Sequence, residues 1–382
     1  MKNIFFLGFF LVVITVYSLG CWYVFHRVGQ AIQSPLVRTV FSWIFWLLAC
    51  SFIVGQILER GNPHLVSSIV SGIGSTWLAV FWYSFLLVLV IDVVRLLNNF
   101  LHFIPTNFMS AYLTPVSLLV GGAALIFIVV TAGYINAAYP RVHTIDVQVN
   151  KSVPDKNELT VALLSDVHMG FIIRNGRVSR MIDNINATHP DLVIFAGDLV
   201  DHNPKPVVQG DMGRYFAKIN APLGVYAVTG NHEFIGHPKV SVDYLSQYGV
   251  KYLRDTLIEV AGIQLAGRED VTKKRFVGNE RKPLSELLQQ MAAEKPLILI
   301  DHQPVDYAEA QRLGVDLMLS GHTHEGQLWP FKILTQKIYG LQDGLMKRGN
   351  AHFYVSPGYG TWGPPVRIGN RPEIAVIRIH FR

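Results

Sequence analysis

The chain has 382 residues, half of them hydrophobic and only 16% charged, a balance too apolar for an average soluble enzyme. Its formal net charge of +6 divides evenly. Residues 1–139 hold five Lys/Arg and two acids, leaving 28 and 25 of the chain's 33 and 27, so the basic excess is poor grounds for nucleic-acid binding. Both cysteines, Cys21 and Cys50, lie in the apolar part, which excludes a disulfide framework or a thiolate metal site in the remainder.

In chain order, Ile4–Phe25 is an uncharged apolar run long enough to cross a bilayer, for which about 20 residues suffice. A cleaved signal peptide is the rival reading, because Lys2 precedes the run, but the run is long for such a core and no small-x-small site follows. Ser18-Leu19-Gly20-Cys21 is similar to a lipoprotein site, yet Trp22-Tyr23-Val24-Phe25 continues the hydrophobic stretch. Further spans are predicted over Thr39–Leu58, Leu65–Ile91 and Val116–Ala138, with Arg95–Tyr112 lying on the membrane surface. Ser71, Gly72, Gly74 and Ser75, and then Gly121-Gly122-Ala123-Ala124, are small residues that permit close helix approach in lipid. Four spans put the amino terminus and everything after Tyr139 on one side. Three basic residues near each surface leave the orientation open.

From about Arg141 short β-type runs alternate with helical spacing. Strands are expected at Val147–Asn150, Leu159–Leu164, Asp191–Ala196, Gly224–Thr229, Ile263–Gly267, Leu297–Ile300, Asp316–Leu319, His352–Ser356 and Glu373–His380. Helices are expected at Val178–Ile185, Val240–Tyr248, Lys282–Ala293 and Val305–Leu313. The alternation indicates a layered α/β domain.

Five of those strands end in His, Asp or Asn. They run into Ser165-Asp166-Val167-His168, Gly197-Asp198, Gly230-Asn231-His232-Glu233, Asp301-His302 and Ser320-Gly321-His322-Thr323-His324. A lone histidine at a strand end is usually an ordinary hydrogen-bonded residue, and Asn-His after glycine is commonly a turn. Recurrence after five strands is what those readings do not supply, because ligands in α/β sheets gather outside the carboxyl ends of strands. If the first strand stays extended, Asp166 and His168 point the same way. His322 and His324 are a pair of imidazoles suited to a divalent cation. A mixed carboxylate, imidazole and amide set suits Mn, Fe or Zn better than Ca or Mg. Seven candidate ligands exceed the needs of one ion, but would serve two ions about 3.5–4 Å apart that share a carboxylate and activate a water toward phosphorus.

The blocks Asp166-x-His168, Gly197-Asp198-x-x-Asp201, Gly230-Asn231-His232-Glu233, His302 and Gly321-His322-x-His324 resemble the calcineurin-like metallophosphoesterases, in the family's order. The wording SDVHMG, SGHTHEGQ and GTWGPPVRIGNRPEI is similar to the membrane-anchored cell-envelope branch, which includes hydrolases of a nucleotide-linked acylated sugar. Glu325 departs from the glycine usual in that branch. The resemblance implies a four-layer α-β-β-α sandwich over residues 140–382, preceded by an all-α transmembrane region of about four helices at 1–139. It implies two divalent ions (Mn, Fe or Zn), with Asp166, His168 and His324 holding one, Asn231, His302 and His322 the other, and Asp198 bridging. His232 would act on the leaving oxygen or the phosphoryl charge, with Asp201 and Glu233 in support. Asp270 is a weaker candidate. The expected activity is hydrolysis of a phosphodiester, phosphomonoester or pyrophosphate by a metal-bound hydroxide, on a substrate that includes lipid-linked and nucleotide-sugar-lipid forms. The expected location is a multi-pass inner or plasma membrane, with no nucleic-acid partner. A transporter or channel with a regulatory phosphoesterase domain is the alternative.

Overall fold

Five helices make up the apolar part of the chain: α1 (Lys2–Ala31), α2 (Pro35–Leu58), α3 (Leu65–Leu101), α4 (Thr106–Tyr112) and α5 (Pro115–Ala138). The computed structural model describes residues 2–61, 64–236 and 238–382. They fall into two compact units, Met1–Gly133 and Tyr134–Arg382. Four stretches, Leu11–Ala31, Pro35–Leu58, Leu65–Leu101 and Pro115–Ala138, are long and apolar enough to cross a membrane.

Within the first unit, α1, α2 and α3 pack around Cys21, Val24, Phe45, Ala49, Trp77 and Phe81. The small residues of α3 divide into two groups. Ser71, Gly74 and Ser75 are buried, and a Cβ at Gly74 would lie 2.6 Å from the Phe52 Cα of α2. Gly72 and Gly121 have open space where a Cβ would go, so they are not the close-approach points their spacing suggests. The third helix also runs ten residues past the expected end at Ile91, which absorbs the first part of the segment expected on the membrane surface. Asp92 does not end it, because its carboxylate pairs with Arg27 at 2.8 Å and accepts the Tyr23 hydroxyl at 2.6 Å.

The second unit is built on two six-stranded sheets. Its strands are β1 (Arg141–Val149), β2 (Glu158–Leu164), β3 (Leu192–Phe195), β4 (Val225–Ala227), β5 (Val250–Tyr252), β6 (Thr256–Val260), β7 (Ile263–Gly267), β8 (Leu297–Ile300), β9 (Leu317–Ser320), β10 (Gly344–Arg348), β11 (Ala351–Val355) and β12 (Glu373–Phe381). One sheet has the order β1-β12-β2-β3-β4-β5 and the other β10-β11-β9-β8-β7-β6. The connecting helices are α6 (Asn175–Ala187), α7 (Lys205–Gln209), α8 (Asn231–Ile235), α9 (Pro238–Ser246), α10 (Lys273–Val277), α11 (Leu284–Leu287), α12 (Tyr307–Arg312) and α13 (Phe331–Tyr339).

Strand alternation sorts the side chains into layers. Leu159, Val161, Leu163 and Ile194 from one sheet meet Leu265, Ile298, Ile300, Leu317 and Leu319 from the other in a shared core. Ala162, Leu164, Val193 and Phe195 point outward onto Val178, Met181, Ile182 and Ile185 of α6. Leu297, Leu299 and Met318 point out on the far side, toward Leu284, Leu287 and Ala310. The result is the expected four-layer α-β-β-α sandwich. Because β2, β3 and β4 run parallel, as do β7, β8, β9 and β11, their carboxyl ends share an edge.

The strands at Ile263–Gly267 and Leu297–Ile300 match expectation to the residue. The helix expected over Lys282–Ala293 shrinks to four residues, and β5, β6, β10 and α13 were not foreseen. The shared core sets the first expected outcome. Ile300→Ala should cost about 2–5 kcal/mol, read as a lower urea midpoint at unchanged slope.

Candidate metal centre

Each candidate ligand follows a parallel strand, on its loop or, for Asn231, at the first residue of α8, and the backbone of most of them is unusual. Asp166, His168, Asp198, His322 and His324 all have left-handed φ, between 48° and 71°. L residues seldom adopt that conformation, although Asp and His tolerate it better than most. Asp166 and His168 therefore do not meet because the strand stays extended. The strand ends at Leu164, and the loop then turns twice. Backbone bonds from Asp166 to Gly197 (3.1 Å), His168 to Asp198 (3.0 Å) and Met169 to Leu199 (2.9 Å) lace that loop to the one after β3.

Two glycines make the close approach possible. A Cβ at Gly230 would overlap the Asp198 carboxylate, and one at Gly321 would overlap Ser165 and Asp166.

The side chains gather into two acceptor-rich groups: Asp166, His168 and His324, and Asp198, His302 and His322. In the first, the Nε2 atoms of His168 and His324 are 3.1 Å apart. His324 Nε2 is 3.4 Å from Asp166 Oδ1. Asp166 Oδ2 accepts the Ser165 hydroxyl and the His322 N–H (2.9 Å), while its buried Oδ1 has no hydrogen-bond partner. In the second group, His302 Nδ1 lies 2.8 Å from the Ala196 carbonyl, which can only accept, so the proton sits on Nδ1. The His302 Nε2 lone pair then faces Asp198 Oδ2 and Asn231 Oδ1, each at 3.2 Å. The same Asp198 Oδ2 is 3.9 Å from His168 Nε2, on the other group's side. Although His322 and His324 are neighbours in sequence, they serve different groups.

This donor set fits cations. Metal-ligating imidazoles must be neutral. Burial, helped by the nearby His232, lowers His168 to about 4. Burial also lowers His322, and it holds His324 well below the ordinary value. For His302 burial is outweighed by Asp198, which raises it, so a proton competes with a cation there. An unpartnered buried carboxylate oxygen beside two neutral imidazoles, and three acceptors turned on one another beside Asp198, are what two divalent ions would satisfy.

His232 borders both groups, one of its ring nitrogens lying within 4.8 Å of ligand atoms of His168 and Asp198. Its Nδ1 is 2.7 Å from Asp201 Oδ1, and its ring lies edge-on to His168 and 6.0 Å from that of Trp362. Burial opposes its charge, but Asp198 and Asp201 prevail and raise it to about 9. Glu233 meets the groups only through backbone N–H bonds. Its carboxylate accepts the N–H groups of Gly230 (2.8 Å), Val200 (2.9 Å) and Asp198 (3.2 Å), tying the β3 and β4 loops together. Asp270 caps its own turn through Thr272 and accepts from Gln303, so the turn reading holds for it. Asp301 points away from His302 into the guanidinium groups of Arg268 and Arg281. Glu325 does not face solvent. It is buried and ion-paired with Lys332.

One residue escaped sequence reasoning. Arg367 is fully buried, donates to the Gly360 carbonyl (2.7 Å) and reaches His324 Nδ1 at 3.3 Å. Its only sequence signal was its place in GTWGPPVRIGN, where an arginine beside two prolines reads as surface loop.

The calcineurin-like phosphoesterase family matches residues 159–326, which hold every candidate ligand. The chain is 28% identical to an uncharacterized metallophosphoesterase of Campylobacter jejuni over 98% of both chains. It is 32% identical to an uncharacterized metallophosphoesterase of Aquifex aeolicus, over 66% of this chain and 98% of that one. A transmembrane protein with metallophosphoesterase domain from Danio rerio is 32% identical over 66% of this chain and 61% of its own length.

The role of Glu233 can be tested without catalysis. Glu233→Ala leaves three buried N–H groups without an acceptor, and should weaken divalent-metal binding about 10–100-fold in an equilibrium titration. Unchanged affinity would mean the loops hold their shape without it.

Proposed function

This chain belongs to the calcineurin-like metallophosphoesterase family, and we propose from that premise that it is a membrane-anchored two-metal phosphoesterase acting on a substrate held at the membrane. It is a phosphoester hydrolase and a membrane protein. Our reading goes further. The helical region 1–139 anchors the catalytic domain 140–382, and the substrate is a lipid-linked phosphoester or pyrophosphate. The observation that carries the two-metal reading is Asp198. One of its carboxylate oxygens lies 3.2 Å from His302 Nε2 and 3.9 Å from His168 Nε2, between two groups of acceptors.

In this reading Asp166, His168 and His324 hold one ion, Asn231, His302 and His322 hold the second, and Asp198 is shared. When bound, a pair of divalent ions neutralises phosphoryl charge and makes hydroxide available near neutral pH. The chain's own residues do the rest. The Asp198 Oδ1 atom accepts the His232 N–H at 2.8 Å, which fixes the carboxylate's rotation. Asp201 orients the His232 ring through Nδ1, leaving Nε2 to donate a proton to the departing oxygen. Arg367 holds the His324 ring from behind. Trp362 and Tyr339 flank the rim, with the Tyr339 ring 5.7 Å from that of His322. The anchor supports a membrane substrate, because it confines the site to within reach of lipid. None of the relatives named above is called a transporter.

Two measurements check this. Full-length protein with added Mn should hydrolyse an aryl phosphodiester. Asp198→Ala should lose both metals by elemental analysis, and His302→Ala chiefly one. Two metals retained after Asp198→Ala would overturn the shared role. Separately, His232→Ala should keep its metals and lose about 10²–10⁴ in kcat, the range of a general acid. Loss of metal together with activity would instead make His232 a ligand.

A further inference from the structure

Helix α13 is unlike the other helices of its unit of comparable length, because none of its residues is buried. Ile333, Leu334 and Ile338 are 56%, 53% and 61% exposed, and the adjoining Trp329 and Trp362 are 53% and 58% exposed. By helical spacing Leu334 and Ile338 form one stripe, flanked by Ile333 and Lys337. The opposite face looks inward. Lys332 pairs with Glu325, Thr335 bonds to Gln342, and Tyr339 packs beside His322. A nine-residue helix thus presents apolar side chains outward while its inner face forms part of the rim of the metal centre.

An apolar patch of this kind marks a surface built to be covered, and the surroundings say by what. The chain enters this unit at Tyr134, directly from the membrane-length helix Pro115–Ala138. Within the unit, the Asn136 amide donates to the carbonyls of Arg367 (2.9 Å) and Asn370 (2.7 Å). The same loop bonds to the segment that leads into α13. Trp329 N–H donates to Ile368 at 2.9 Å, and the Asn370 amide donates to the Glu325 carbonyl at 3.3 Å. The end of a membrane-length helix and the exposed helix therefore hang on one four-residue loop. Cations surround the entry. Arg177 donates to the Ala137 carbonyl at 2.6 Å, Arg180 lies over the Tyr139 ring, and the half-exposed Arg141, which also pairs with Glu373 at 3.4 Å, begins β1. Tryptophan, branched aliphatics and lysine on a short amphipathic helix are the composition of segments that lie at lipid headgroup level, and nearby arginines favour anionic headgroups.

We propose that α13, with Trp329 and Trp362, is an interfacial segment that rests on an anionic phospholipid surface and holds the rim of the metal centre against it. A substrate anchored in that leaflet then reaches the site without leaving the lipid. The catalytic consequence rests on the phosphoesterase reading, but the placement of the helix does not.

The test uses the full chain in nanodiscs containing phosphatidylglycerol, with Cys21 and Cys50 replaced by serine. Spin labels on Leu334→Cys and Ile338→Cys should be relaxed by oxygen and shielded from a water-soluble nickel chelate. A label on Lys239→Cys should show the reverse. Equal access of the nickel chelate to all three positions overturns the proposal. So does dipolar broadening between labels at 334, which would place a second copy on this face. In the same nanodiscs, the double variant Ile333→Asp, Leu334→Asp should keep turnover of a soluble aryl phosphodiester within about twofold. It should lose at least about tenfold toward a diacyl-linked aryl phosphodiester embedded in the disc. Loss toward both substrates makes the residues structural, and loss toward neither removes the docking role. If wild-type protein turns over no phosphoester, the reading of the metal centre fails, and the label depths alone judge the surface.

Discussion

Acceptors facing acceptors, in a place water barely reaches, are the constraint on which the rest of the catalytic unit depends. Asp166 and Asp198 are at most 1% exposed. An isolated carboxylate buried in that way would cost on the order of tens of kcal/mol by Born solvation, so it would normally take up a proton. Burial does push both toward protonation, yet the surrounding imidazoles, His324 and His302 foremost, hold each below the usual carboxylate range. The charges are thus kept, beside His168, His322 and His324, which burial lowers, and His302, which Asp198 raises. A hydrophobic core of this size gains nothing from such an arrangement. Neighbouring imidazoles offset part of that cost and a bound cation would offset more, which is why the chemistry can be read from the polar inventory.

The fold carries that cost elsewhere. Five candidate ligands in left-handed backbone represent about 1–3 kcal/mol of strain each. Such positions persist only where surrounding bonds over-determine them. Here those bonds are the lacing of the β2 loop to the β3 loop, the three N–H groups gathered by Glu233, and the guanidinium of Arg367 inside the last loop. All rest on parallel strands whose alternating side chains fill the inter-sheet core. Packing supplies the rigidity, and the loops spend it on geometry.

This division explains what was legible in the sequence. The central parallel strands are short runs of fully buried residues, so Leu297–Ile300 and Ile263–Gly267 could be placed to the residue. Glycines before Asp198, Asn231 and His322 marked the turns. What could not be read is partition among neighbours. Spacing alone made His322 and His324 look like a pair. Only the family resemblance divided them between two groups, and the left-handed turn at each sends the rings apart in that way. Asp166 and His168 meet through a loop rather than along an extended strand. Arg367 was invisible because its role comes from burial among loop carbonyls, and no periodicity records that. The edge strands β5, β6 and β10 were missed for a related reason. Their outward residues are polar or half-exposed, and register with a neighbour makes them strands rather than their own hydropathy.

Helix α13 failed differently. Ile333, Leu334 and Ile338 carry the hydropathy of a core segment, and sequence alone cannot say whether apolar residues point in or out. The structure decides it through the inner face, where Lys332, Thr335 and Tyr339 already have partners, leaving the aliphatic stripe outside. The connection to the metal centre is then geometric and needs no switch between two states. The Arg367 carbonyl accepts from Asn136, at the end of a membrane-length helix, while its guanidinium contacts His324. Chain entry, exposed helix and candidate ligand are all fixed to one loop within the catalytic unit. Under the proposed reading, a substrate confined to a leaflet would be the one to make use of that shared attachment.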